Sequence, residues 1–221
     1  MLTLKLFHLL LFVYWLGADV GTFYAARFVA NPTLAPAARM TAAKIMLGID
    51  IAPRLCMPLV LATGVHLAWL QGHLPLSGGA VGACWGLCLA WVGMVVAIHH
   101  LGAAARGAAM VKFDFGFRTV LLAGLALTAL GALFAPGLGP LWPNWLAFKL
   151  LCYAATMACG LMIRVHLRPF TAAFGRLAGG HGDAEGDRVI ARAIARCVPW
   201  VLVIWALLVA SAASGLHALA L

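Results

Sequence analysis

At 221 residues the chain is 65% hydrophobic and only 10% charged, with a mean hydropathy of +1.02, whereas a soluble domain is about half apolar and about a quarter charged. The surplus apolar surface excludes a water-soluble globule and calls for lipid, and the long unbroken apolar runs exclude a β-barrel, whose strands alternate in short segments. The net charge of +9 does not indicate a nucleic-acid partner, because the basic residues sit at the ends of the apolar runs. The expectation is an all-α fold: a polytopic transmembrane helical bundle, one integral membrane domain over residues 1–221, with the lipid bilayer as its partner.

A span takes roughly 20 apolar residues, and six stretches qualify. The first, residues 4–26, is too long for a cleaved signal peptide and lacks a small-residue cleavage pattern, so it reads as a retained helix. It carries His8 about one turn in. Asp19, the only acid read as lying well inside a span, is bracketed by Gly17-x-x-x-Gly21, a spacing that permits close helix contact. Asp19 calls for a partner, with Arg27, Arg54 and Arg118 as candidates, and reads either as a structural ion-pair member or as a proton-handling group. Residues 36–47 suggest a surface helix with Arg39 and Lys44 as its polar edge.

The second span, residues 51–71, is opened by Asp50-x-x-x-Arg54 and holds His66 near its far end. The third, residues 79–101, contains Cys84 and Cys88 one turn apart and finishes on His99-His100. The fourth, residues 117–135, is opened by Asp114-x-x-x-Arg118 and runs into a turn-rich stretch from Ala135 to Pro140. The fifth, residues 145–165, has Lys149 near its start and His166 just beyond its end. A polar loop over 166–196 follows, with a Gly-rich tip around His181. After the tip, Arg188, Arg192 and Arg196 share a face beside Val189, Ile190 and Ile194, the pattern of an amphipathic surface helix. The sixth span covers residues 198–217 and ends at His217.

Basic residues divide unequally between the two ends. Side A, where the chain starts, carries Lys5 and Lys149. Side B carries Arg27, Arg39, Lys44, Arg54, Arg106, Lys112, Arg118, Arg164, Arg168, Arg176, Arg188, Arg192 and Arg196. The positive-inside rule makes side B cytoplasmic and both termini periplasmic, in a bacterial inner membrane. Asp50-x-x-x-Arg54, Asp114-x-x-x-Arg118 and Arg192-x-x-x-Arg196 each precede a span by one turn. Either three helical hairpins repeat in tandem, or spans starting at a cytoplasmic face simply collect charge.

His8 and His66 fall at similar depth on side A, on neighbouring antiparallel spans, with Lys149 at about the same level. Two such imidazoles can ligate haem iron from opposite faces, or hold copper or zinc; the plainer reading is a pair of interfacial histidines bonded to backbone or lipid. On side B, His99, His100 and His166 lie near Arg27, Arg54, Arg118, Arg164 and Arg168. Those arginines suit haem propionates or an anionic substrate, or are simply the positive-inside belt. Cys56, Cys84, Cys88, Cys152, Cys159 and Cys197, together with Met57, Met94, Met157 and Met162, read as packing. Trp15, Trp85, Trp91 and Trp205 read as packing, as interface anchors or as flanks of a cofactor.

The first span reads Lys5-Leu6-Phe7-His8, then Trp15-Leu16-Gly17, Phe23-Tyr24 and Arg27-Phe28-Val29. The second has Arg54-Leu55-Cys56-Met57-Pro58 and Thr63-Gly64, and the fifth has Trp145-Leu146-Ala147-Phe148-Lys149-Leu150. Together these resemble the HemJ-type protoporphyrinogen oxidases and their CopD-like relatives, over about half of the chain. The third and fourth spans look inserted before the lysine helix, and the Gly-rich loop has no counterpart in that pattern. The resemblance implies bound haem b, with His8 and Lys149 essential and Arg54 at a matching position. In that reading His8 and His66 are the metal ligands, Lys149 holds a propionate or tunes the iron, and Lys149 and Asp19 take part in the chemistry. The function expected is a haem-b inner-membrane oxidoreductase or electron-transfer protein, quinone-linked or porphyrin-oxidising. A second haem would involve His99, His100 and His166. The alternatives are a CopD-like copper or small-solute transporter and a membrane anchor subunit for a redox partner; a homo-oligomer is compatible with any of them.

Overall fold

The computed structural model describes residues 1–102, 105–134 and 142–216, the side chains of 105 and 106 excepted, and among them there is no strand. Eight helices follow one another: α1 Leu2–Ala30, α2 Pro36–Ile49, α3 Ile51–Leu70, α4 Gly78–Leu101, α5 Ala105–Phe134, α6 Asn144–His166, α7 Arg168–Ala178 and α8 Ala184–Gly215. Six stretches are long and apolar enough to cross a membrane, with α2 and α3 counting as one run through Asp50. The protein is a multi-pass helical membrane bundle.

The spans are apolar on both faces because one face meets protein and the other meets lipid. On α1, Leu2, Leu6, Leu9, Val13, Val20, Tyr24 and Phe28 form an exposed stripe at helical spacing, while Leu11, Trp15, Ala25 and Val29 are buried. On α5, Phe113, Val120, Leu127 and Phe134 recur every seven residues and are exposed at 67%, 75%, 71% and 80%. In a soluble protein such stripes would be a liability; in a bilayer they are the solvated surface.

Each span packs on the next, α1 on α3, α3 on α4, α4 on α5, α5 on α6 and α6 on α8, and α8 returns to α1, so the six form a closed ring. Its interior holds Leu11, Trp15, Met57, Trp91, Met157 and Ile204. The Tyr153 hydroxyl donates to the Met57 carbonyl at 3.1 Å, which ties α6 to α3 across the ring.

A second, smaller core sits at side B, where Val29, Ala43, Ala173, Leu177 and Ile190 join the end of α1 to α2, α7 and the start of α8. Here the expected surface helices differ from what forms. The strongly amphipathic helix is α7, and the Arg188–Arg196 face belongs to α8, which runs unbroken into the sixth span. The α8 start is set by Asp183, whose side chain accepts from the Gly186 amide at 2.6 Å, the usual satisfaction of a free helix N–H. Lys44 is exposed, but Arg39 is not a polar edge: it is 2% exposed. Its guanidinium donates to Asp187 at 2.6 Å and to the Val29 carbonyl at 3.0 Å. A carboxylate from a distant helix permits that burial, and periodicity within residues 36–47 carries no sign of it.

Two further boundaries shift. α5 begins well before the fourth span read from sequence, so Asp114 lies inside a helix rather than at its mouth. Of the Gly17 and Gly21 pair, only Gly21 faces a close neighbour: a Cβ there would lie 3.5 Å from the Ile49 side chain, whereas one at Gly17 would have nothing within 4 Å. The 135–140 stretch and His217 lie outside the described residues, as does the side chain of Arg106.

Candidate functional site

On side A, α1 and α3 bring His8 against Thr63 and Gly64. His8 Nδ1 lies 2.7 Å from Thr63 Oγ1, and the same hydroxyl donates to the Leu59 carbonyl at 2.7 Å and the Val60 carbonyl at 3.2 Å. A threonine hydroxyl has one proton. Two oxygens at 2.7 Å require a proton between them, so that proton is committed to the carbonyls of α3. His8 must therefore supply its own, as Nδ1–H, and its Nε2 carries the free lone pair. Gly64 makes room for the ring, since a Cβ there would lie 3.3 Å from His8 Cε1.

Lys149, near the start of α6, is within electrostatic reach of His8. Its ammonium rests on Gly215 of α8, where a Cβ would approach Nζ to 2.5 Å. No carboxylate pairs with it among the described residues. His8, Thr63, Gly64, Lys149 and Gly215 thus come from four helices to the side-A end of the ring.

His66 is turned elsewhere. Its Nδ1 accepts the Trp85 indole N–H at 3.3 Å, and its ring lies 5.8 Å from that of Trp69. An indole only donates, so the His66 lone pair at Nδ1 is occupied and the ring proton of the neutral side chain sits on Nε2. No ring contact joins His66 to His8. Asp19 meets none of the arginines proposed as its partners: its carboxylate accepts from Trp205 Nε1 at 2.9 Å. The side chain faces α8 instead. It lies eleven residues from His8, about 16 Å along α1, away from the His8 and Lys149 level.

Side B holds the more tightly built cluster. Asp114 is fully buried. Its two oxygens accept from three N–H donors: Trp91 Nε1 at 3.2 Å, Arg118 Nε, whose single proton is shared by both oxygens at 3.0 Å, and Arg164 Nη1 at 2.6 Å. The Arg118 guanidinium stands over the Trp91 ring at 5.0 Å and also donates to Met57 Sδ at 3.3 Å, so Met57 does more than fill space. Beside this knot, Arg54 pairs with Asp50 one turn away. A cleft of about 240 Å³ opens there, lined by Asp50, Arg54, His99, Asp114 and Arg164 together with Leu47, Ile51, Val95 and Ile98. The two Asp-x-x-x-Arg motifs of the second and fourth spans therefore both form their pairs, and they meet at one cleft. Arg192 and Arg196 are exposed and stand apart.

The side-B histidines do not gather. His99 is at the cleft and contacts His100 at 5.6 Å, whereas His166 stacks on Trp200 at 6.2 Å. Among the described residues no three His, Cys, Asp or Glu side chains converge as a metal cluster. The cysteines named above are all free thiols.

The sequence marks Thr63 only as part of the Thr63-Gly64 motif, without a role, and marks neither Gly215 nor the depth of Asp114. A usable signal existed for the last, because Asp114 sits within Phe113-Asp114-Phe115-Gly116-Phe117, and an acid flanked by phenylalanines is poorly placed for water. Three of the four noted tryptophans turn out to donate their indole N–H to an ionisable group, Trp85 to His66, Trp91 to Asp114 and Trp205 to Asp19. No family model, no curated protein and no solved structure matches the chain.

Proposed function

We propose that this protein is a haem-b-binding oxidoreductase or electron-transfer protein of a bacterial inner membrane, with His8 as an iron ligand. The observation that carries the reading is the His8–Thr63 hydrogen bond, which leaves Nε2 as the free lone pair. Imidazole is a common axial ligand of haem iron, and ligand histidines are typically held by a bond from the other ring nitrogen. The donor set fits the group: a neutral histidine oriented from behind, and an ammonium at the same end of the bundle with no carboxylate pairing with it among the described residues. Bound haem would supply one-electron chemistry.

The residues of the chain have separate tasks in this reading. Thr63 sets the tautomer of His8, Gly64 lets the ring sit close to α3, and Lys149 offers its charge to a propionate. His66 joins as a second ligand only by giving up the Trp85 bond. Arg54 belongs to the other half of the molecule, nine residues from Thr63, about 13 Å along α3. A reduced porphyrin is the substrate class suggested by the resemblance, with a quinone as electron acceptor. The excess of Lys and Arg at side B supports a cytoplasmic side B and periplasmic termini.

The test is a reduced-minus-oxidised absorption spectrum and a pyridine haemochrome count on the full chain purified from haem-supplied cells. A b-type signal of about one haem per chain is expected, lost in His8→Ala and kept in His66→Ala. A colourless wild-type protein, or full haem retention in His8→Ala, would overturn the assignment.

A further inference from the structure

The side-B cleft has a charge imbalance that the protein itself does not resolve. Around it three guanidinia, of Arg54 and Arg164 in its wall and of Arg118 behind them, meet two carboxylates, of Asp50 and Asp114. Asp114 is already committed to Trp91, Arg118 and Arg164, and Arg118 is 4% exposed with its Nη2 buried and unpartnered. An uncompensated positive charge at the edge of the bilayer is costly unless an anion joins it. The planar arginine fork suits oxyanions that offer two oxygens side by side, carboxylate or phosphate.

The cleft also limits what kind of anion enters. Its volume of about 240 Å³ holds a head group rather than a whole large ligand, since ligand pockets usually span about 300–1,000 Å³. One wall is apolar, made by Leu47, Ile51, Val95 and Ile98, and Leu47 is 56% exposed at the rim. A polar floor with an apolar wall opening at the side of a membrane helix bundle matches an amphiphile, not a free solute.

We propose that this cleft binds one monoanionic oxyanion head, a phosphodiester or a carboxylate, of an apolar-tailed molecule that enters from the side-B leaflet. The head group would bridge Arg54 and Arg164 and supply the missing negative charge, and the tail would lie along Leu47, Val95 and Ile98. This site is separate from the His8 end and does not rest on the haem reading.

Native mass spectrometry of the full chain in nonionic detergent tests it, with haem and added amphiphile resolved by mass in the same spectrum. The probes are phosphatidylglycerol, oleate, inorganic phosphate and phosphatidylcholine. The expected result is one retained equivalent of phosphatidylglycerol or of oleate, and whichever is retained identifies the head. Arg54→Gln should weaken that binding at least tenfold. Asp50→Asn, which removes a competing carboxylate, should tighten it several-fold, an effect that loss of folding cannot produce. Retention of inorganic phosphate alone, equal retention of phosphatidylcholine, no retention in any arm, or an unchanged affinity in both variants would each overturn the proposal.

Discussion

Asp114 of α5 and Arg164 of α6 meet at 2.6 Å although 50 positions separate them in the chain. The same carboxylate holds Arg118 of its own helix and Trp91 of α4, so a single buried acid joins three spans. Removing its charge leaves two guanidinia close together without compensation. Asp114→Asn is therefore expected to cost about 3–5 kcal/mol, the usual range for breaking a buried pair from one side. Arg164→Met should cost less, because Arg164 is 24% exposed and Asp114 would keep Arg118. Reversible unfolding in mixed micelles measures both. A loss below about 1 kcal/mol in Asp114→Asn would show that water already solvates the arginines.

Thr63 offers a second test, independent of any cofactor. Valine there keeps the shape but removes the acceptor for His8 Nδ1–H, leaving a donor unsatisfied at membrane depth. The expected cost is about 1–3 kcal/mol, with Thr63→Ser close to wild type. The histidine ring should also lose its fixed tautomer. Nitrogen chemical shifts of labelled His8 would show a single Nδ1-protonated form in the wild type and a mixture in Thr63→Val. A mixture already present in the wild type would remove the geometric basis for treating Nε2 as the ligand nitrogen.

The six spans were legible because hydropathy alone decides them: a run of apolar residues long enough to cross lipid has few alternatives. The contacts that build the two clusters were not, for reasons that differ by residue. Asp114 was noticed, but its charge ended the apolar run, so the span appeared to start after it. Only the packing of α5 on α6 shows that Arg164 reaches across to neutralise it. Thr63 stands in the quoted Thr63-Gly64 motif but shows no role there, since a threonine in an apolar helix ordinarily bonds back to its own carbonyls, and its spare lone pair becomes visible only when α1 is laid against α3. Asp19 was legible as an acid needing a partner. Charge pairing suggested arginine, whereas the ring closure of α1 on α8 delivered the neutral indole of Trp205.

Gly215 bears directly on Lys149. A methyl at that position would come within 2.5 Å of Nζ, and the atom that must yield is the end of a flexible side chain. Gly215→Ala should therefore leave stability within about 0.5 kcal/mol of wild type while displacing the ammonium from its present position. Amine-reactive labelling of Lys149, read by peptide mass, should change in rate by at least several-fold, with Lys149→Met as the blank. If labelling is unchanged while stability falls by more than about 1 kcal/mol, the backbone of α8 has moved instead and the lysine is not seated against Gly215.

Asp19 and Trp205 allow the structural and the proton-handling readings of Asp19 to be separated. Asparagine retains a carbonyl oxygen that can accept the indole N–H, so Asp19→Asn should preserve the link between α1 and α8. Trp205→Phe removes the donor but keeps the edge-on packing with Phe23, now 5.4 Å between ring centres, and should cost about 1–3 kcal/mol. Combined with Asp19→Leu in a double-mutant cycle, it should reveal a coupling of about 0.5–3 kcal/mol. Turnover or electron-transfer rate then decides the role. If Asp19→Asn folds like wild type but loses rate at least tenfold, the ionisable proton is what the site requires. If it folds and turns over unchanged, Asp19 is an anchor for Trp205 and takes no part in proton handling.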